Sequence, residues 1–277
     1  MIRRKLLATV AGAALMLTTG LAQAGKTIDR VMSAKVLKIA TSADWAPQSF
    51  LNDDNKMDGF DVDVGKEVAK RLGVTAEFVT PSWDIITAGK WNGRWDISVG
   101  SMTPTKSRAK VLAFPGVYYY TPASIAVHKD SKSKQVSDLN GKKVGAGTST
   151  TFELYLQHDL EIDAEGVPSF EYQVTATNKS YKDSSAAMDD LRLGDGVRLD
   201  GMVGSLPAIL KAIEAKYPLR ILGDPVFYEP LALAIDKGDS EFNDKLAKIV
   251  ADMKSDGTLT TLSKKWYGVD YSSTDGS

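Results

Sequence analysis

The chain has 277 residues, 43% of them hydrophobic, no cysteine, and 34 basic against 35 acidic side chains for a formal net charge of −1. That length suits one large or two medium lobes with a core of ordinary size, and a chain without cysteine has no disulfide framework. The slightly acidic balance argues against nucleic acid or an anionic membrane as partner.

Arg3, Arg4 and Lys5 precede the apolar run "LLATVAGAALMLTTG", and "AQA" then supplies Ala22 and Ala24. This order predicts a secretory signal peptide over 1–24 and a periplasmic mature chain. No cysteine stands at the cleavage site to carry a lipid, and no later run of 18 apolar residues predicts a membrane span.

Strand-like and helix-like segments then alternate. "KVLKIAT" reads as a strand, and "GFDVDVGKEVAKRLG" as a helix, with Val64, Val68 and Leu72 at four-residue spacing and Gly73 as its C-terminal stop. "VTAEFVT" returns as a strand, a helical stretch covers Asp84 to Asn92, and "WDISVG" follows as a strand. After Tyr120 the pattern restarts with strands at "ASIAVHK" and "KKVGAG" and a helix at "TFELYLQHDL". Strand "FEYQVTA", helix "AAMDDLRLG", strand "LDGMVG" and helix "LPAILKAIEAKYP" come next. Strand "EPLALAIDKG" leads into a helical end broken at Asp256-Gly257, and a polar, disordered tail is expected over 272–277. The βαβ order predicts an α/β fold of mostly parallel sheets flanked by helices, in two similar halves.

Chemistry concentrates at strand ends. In "GSMTPTKSRA", Thr103-Pro104 has the composition of a helix start, a hydroxyl cap with proline behind it, and Arg108 lies about one turn on. Such a turn either cradles an anion that a guanidinium grips bidentately, or is a capped helix with a surface arginine. "GAGTSTTFELYL" repeats the device, with Thr150 and Glu153 spaced as a capping box. Trp45 and Trp83 fall in loops that follow strands, where they can wall a ligand; Trp91, Trp95 and Trp266 read as core. "GSMTPTKS" misses the phosphate-loop pattern, and "DDNKMDG" lacks the carboxylates of a calcium loop and reads as a hairpin turn. Two distant histidines make no metal set, no cofactor is expected, and no catalytic Ser-His-Asp or Cys-His set can be assembled.

Together "MDGFDVDVGKEVAKRLG", "WDISVGSMTPTKSRAKVLAFPGVYYY", "LNGKKVGAGTSTTFELY" and "KSDGTLTTLSKKWYG" resemble the periplasmic polar amino-acid-binding proteins of ABC importers, in order from about Lys35 to Tyr267. The resemblance implies two lobes joined by a two-strand hinge, lobe one over 33–121 and 229–271 and lobe two over 122–228, closing on one amino acid. It implies that Arg108 clamps the ligand carboxylate, helped by Thr103 and by backbone N–H groups near Ser101 and Thr151. Trp45 and Trp83 would hold the ligand side chain, and Thr150 and Thr151 would contact it from the second lobe. One departure stands out. Ser205 occupies the position where the family usually places an aspartate for the ligand ammonium, and Ser42 another frequent carboxylate position. Either Glu229 or Asp44 then supplies the charge, Glu229 being preferred, or the ligand is not a simple α-amino acid. The implied partners are a small-molecule ligand, a membrane permease and, compatibly, a chemoreceptor; a monomer without enzymatic activity is expected. The rival is an exported enzyme similar to cyclohexadienyl dehydratases, with Glu229 or Glu153 as general acid.

Overall fold

Two long strands, paired side by side in the middle of the sheet, tie its halves together. The computed structural model describes residues 27–273; the expected signal peptide and residues 274–277 lie outside them. In chain order the first elements are helix α1 (Thr27–Ala34), strand β1 (Val36–Ala40), short strands β2 (Asp44–Trp45), β3 (Ser49–Leu51) and β4 (Met57–Asp58), and helix α2 (Phe60–Leu72). Strand β5 (Thr75–Val79), helix α3 (Trp83–Thr87), β6 (Ile97–Met102) and the 17-residue β7 (Leu112–His128) follow. The second half adds β8 (Lys143–Gly147), α4 (Thr151–Leu156), β9 (Thr177–Tyr181), α5 (Ser184–Leu191), β10 (Gly201–Ser205), α6 (Leu206–Glu214) and β11 (Leu219–Ile221). Strand β12 (Phe227–Asp236) returns to the first half, where α7 (Ser240–Ser255) and α8 (Thr258–Tyr267) close the chain.

The sheet order is β5-β1-β6-β12-β7-β10-β8-β9, with β11 on β7. Pairing is parallel within β5-β1-β6 and within β10-β8-β9, and antiparallel where β7 and β12 join them. Helices cover both faces. Val64, Val68 and Leu72 of α2 pack with Phe242 and Leu246 of α7 on one face of the first half, while Trp91, Trp95 and Ile86 fill the other. In the second half Phe152, Tyr155 and Phe227 pack one face, and Leu191, Met202 and Ile209 the other. This is the α/β arrangement of a sheet flanked by helices that the alternating segments predict.

Several local features explain the agreement and the misses. Gly73 ends α2 in the left-handed region at φ 74, with its N–H capping Lys70. At its start, Phe60 and Asp61 donate their N–H groups to the carbonyls of Pro47 and Gln48. Gly59 sits at φ 123, and any Cβ there would run into the Gln48 carbonyl, so only glycine admits this close approach. The hairpin turn read in "DDNKMDG" joins β3 and β4, Asn52 donating to and accepting around Lys56. The helix expected over Asp84 to Asn92 stops at Thr87, because Gly89, Lys90, Asn92 and Gly93 all adopt positive φ.

The first half of β7 is absent from the sequence reading. "LAFPGVYYYTP" holds two prolines, which interrupt ladders, but the pairing slips between Leu233↔Gly116 and Ile235↔Ala113 and accommodates Pro115 there. The strand expected at "FEYQVTA" lies instead at Thr177–Tyr181. Phe170 and Tyr172 pack their rings against Tyr155, which produces an apolar pattern without a ladder. The true strand is polar because it forms the sheet edge. At the start of the tail, Ser272 is buried and its hydroxyl donates to Asp270.

Candidate functional site

The first wall of the cavity is the turn after β6. The expected helix start at Thr103-Pro104 does not form. Thr103 spends its hydroxyl on Glu229 (2.8 Å), the Pro104 carbonyl accepts from the Asp163 N–H (2.9 Å), and Thr105 bridges Ile162. A three-residue 3-10 turn begins only at Arg108, whose N–H donates to the Thr105 hydroxyl. Arg108 is 6% exposed. It donates Nη1–H to the Thr103 carbonyl (2.9 Å) and Nη2–H to the Ser149 carbonyl (2.8 Å), and its guanidinium lies 5.5 Å from the Trp83 ring centre. Burial lowers it to about 10, while the negative charge of Glu229 pulls the other way.

The second wall is the turn between β8 and α4. Thr150 caps the helix, accepting from the Glu153 N–H (3.2 Å) and donating to the Gly147 carbonyl (2.6 Å). The expected reciprocal box is half formed: the Glu153 carboxylate takes the Ser149 N–H (2.8 Å) instead of that of Thr150. Thr151 turns its hydroxyl to Glu229. The walls touch. Besides the Arg108 contact, Trp83 donates its indole N–H to the Ser149 carbonyl (3.2 Å) and Ser185 its hydroxyl to the Asp44 carbonyl (2.7 Å). Lys106 meets Glu161 through both side chain and backbone.

Between the walls lies a cavity of about 60 Å3. That is room for about four to six water-sized groups, the scale of one small molecule and not of a peptide. Arg108, Thr103, Trp45, Trp83, Thr150, Thr151, Glu229 and Asp44 all line it, so residues scattered over the sequence converge here. Glu229 is 3% exposed, and burial raises its carboxyl above the ordinary value against the lowering effects of the Thr151 and Thr103 hydroxyls and Arg108. Asp44 is also raised, chiefly by burial and then by Asp183 across the cleft.

Two expectations are corrected. Ser101 lines the cavity but turns its polar groups into the core: its N–H donates to the Tyr118 oxygen (2.9 Å) and its hydroxyl to Asp61 (2.7 Å). Its backbone N–H is therefore not offered to a ligand. Ser205 is buried but does not line the cavity, and accepts from the Gln48 amide (3.3 Å). Glu153, a candidate general acid, is likewise committed: Ser149, Ser180 and Asn178 take its oxygens, and it lies off the cavity.

Lys182, Asp183 and Ser185 also line the cavity and are absent from the sequence reading. The misplaced strand hid them: once the strand ends at Tyr181, "KDSS" becomes a strand-to-helix turn with Asp183 capping Ala186 (2.7 Å). Asp61 was unread as well. It is fully buried, accepts from Tyr118 and Ser101, has no cation beside it, and burial raises it to about 7. Among the described residues no group of three or more His, Cys, Asp or Glu side chains is placed to hold a metal, and no helix is long and apolar enough to cross a membrane.

Fold and cavity define a two-lobed solute-binding architecture. Residues 37–269 match the bacterial extracellular solute-binding proteins, family 3, and the chain belongs to that family. It is 29% identical over 246 residues to the L-cystine-binding protein TcyJ of Escherichia coli, covering 88% of this chain and 86% of the relative. It is 28% identical over 240 residues to a putative ABC transporter arginine-binding protein 2 of the same species, covering 85% and 92%. Among solved structures it is similar to the ancestral amino acid-binding protein AncCDT-1, a precursor of cyclohexadienyl dehydratase, at 32% identity and a TM-score of 0.74, covering 87% of this chain and 99% of that one.

Proposed function

We propose that this protein captures a polar amino acid, or an amino-acid derivative, by closure of two lobes in the periplasm and delivers it to the permease of an ABC importer. The observation that carries the reading is Arg108. It is nearly fully buried, lines a cavity touched by both walls, and spends two of its five N–H donors on the protein. A buried guanidinium with free donors suits a carboxylate. Trp45 and Trp83 flank the same space and would hold the ligand side chain. The cystine- and arginine-binding relatives support the amino-acid class.

The lobes would be 33–121 with 229–271, and 122–228. Helix α1 belongs with the first, since Ile28 and Val31 share its core. The chain crosses between them where Phe227 to Pro230 pair with Ala123 to Tyr120. Ligand held by the Arg108 wall gains the Thr150–Thr151 contacts only on closure, and that difference in affinity drives the motion. The closed, monomeric form is then what the permease, or a chemoreceptor, would read.

A thermal-shift screen of refolded protein against the twenty amino acids, cystine, opines and organic acids tests this. Ligand at about 100 Kd should add about 2.7 kcal/mol of stability. A rise confined to amino acids or their derivatives is expected; silence from all of them overturns the reading. The dehydratase alternative draws on the similarity to AncCDT-1 and on the buried Glu229 carboxyl beside Arg108. Prephenate incubated with the protein should yield no phenylpyruvate absorbance if the chain only binds.

A further inference from the structure

Glu229 sits on β12 opposite Thr121 of β7, in the strand pair that passes between the halves. Its Oε1 accepts two hydroxyls, that of Thr103 from the first wall (2.8 Å) and that of Thr151 from the second. Its Oε2 accepts from no protein donor among the described residues, and the side chain lines the cavity. Arg108 lines the same space and feels its charge, yet the two form no ion pair within 4.0 Å. A buried cation and a buried anion left apart are costly unless something completes both. A molecule with a carboxylate and an ammonium on one carbon does so.

The other acids of the cavity are less suited. Asp183 caps the Ala186 N–H and pairs with Lys182 (3.2 Å), and Asp44 lies at the exposed rim beside the Ser42 hydroxyl. Glu229 is the acid that is both deeply buried and open on one oxygen.

We propose that Glu229 receives the ligand's ammonium on Oε2 and, because both walls converge on its Oε1, couples reading of that ammonium to closure of the cleft. This rests on the amino-acid reading above and narrows it to a ligand with a free amine beside its carboxylate. Keto and des-amino acids, which offer the Glu229 carboxylate no hydrogen-bond donor, are rejected.

Calorimetry of the wild type and E229Q tests it. The twenty L-amino acids are titrated into the wild type, and each amino acid that binds is then compared in both proteins with the des-amino carboxylic acid of the same side chain. The wild type should prefer the amino acid at least a hundredfold, and in E229Q that preference should shrink to tenfold or less, with the des-amino acid bound no worse. An unchanged preference in folded E229Q overturns the assignment. So does a wild-type preference below tenfold, which does not depend on the variant folding. Failure of all twenty to bind the wild type, with silence from cystine and the opines in the thermal-shift screen as well, defeats the amino-acid reading itself, and the assignment with it. Binding with undiminished discrimination in E229Q defeats Glu229 alone.

Discussion

The two walls of the cavity look alike in sequence and differ in what they offer. Each follows a strand with a run of small and hydroxyl residues, "GSMTPTKSR" on one side and "GAGTSTT" on the other. The second becomes a capped helix, as written. The first does not, because Thr103, Pro104 and Thr105 each form a contact outside the turn: with Glu229, Asp163 and Ile162. Its positive charge comes from one buried guanidinium instead of a helix start. The comparison teaches a division of labour. On the proposed function, the first wall would supply the charge that sets affinity, and the second hydroxyls and a backbone carbonyl that matter only when the walls meet.

The sharpest way to break that division is Arg108→Ala. Losing a charge-assisted grip and leaving a carboxylate unpaired costs about 2–5 kcal/mol. Calorimetry should record a loss of roughly thirty- to several-thousand-fold in Kd; a loss below tenfold would remove charge from the first wall's role.

The core behind that wall carries the next effect. Asp61 stands at about 7 in the folded chain against an ordinary 3.8, so between these pH values the folded state holds a proton that the unfolded state has lost. Stability should therefore fall as pH rises from about 4 through 7, by as much as about 4 kcal/mol from this group. Asp61→Asn is neutral throughout and should flatten that slope in urea unfolding curves taken at pH 5 and pH 8. Equal slopes in variant and wild type would show that Asp61 is charged in the folded chain.

Thr150→Ala probes the second wall and should do least. Removing the cap of α4 costs about 1 kcal/mol of stability. Denaturation and titration together check it: a modest fall in midpoint with less than a tenfold change in Kd agrees with a supporting wall, whereas a loss matching that of Arg108→Ala would make the walls equals.

Much of this molecule was legible beforehand. Helix α2 with its Gly73 stop, the α7–α8 break at Gly257, and the alternation of strands and helices all follow from local periodicity and backbone freedom. Arg108, Thr103, Thr151, Trp45, Trp83 and Glu229 were named from motif chemistry and resemblance, and they meet at one cavity. The inward turn of Ser101, the retreat of Ser205 to Gln48 and the arrival of Asp183 were not. Local pattern decides which segments alternate as strand and helix and where a helix such as α2 stops, because φ preferences and apolar spacing act over a few residues. It does not decide which way a hydroxyl points, since that depends on partners 40 to 157 residues away, the Asp61 carboxylate that accepts from Ser101 and the Gln48 amide that donates to Ser205. The fold class was written in the periodicity. The sharing of one glutamate by two threonines, 126 and 78 residues distant, was settled only when tertiary packing brought the walls together.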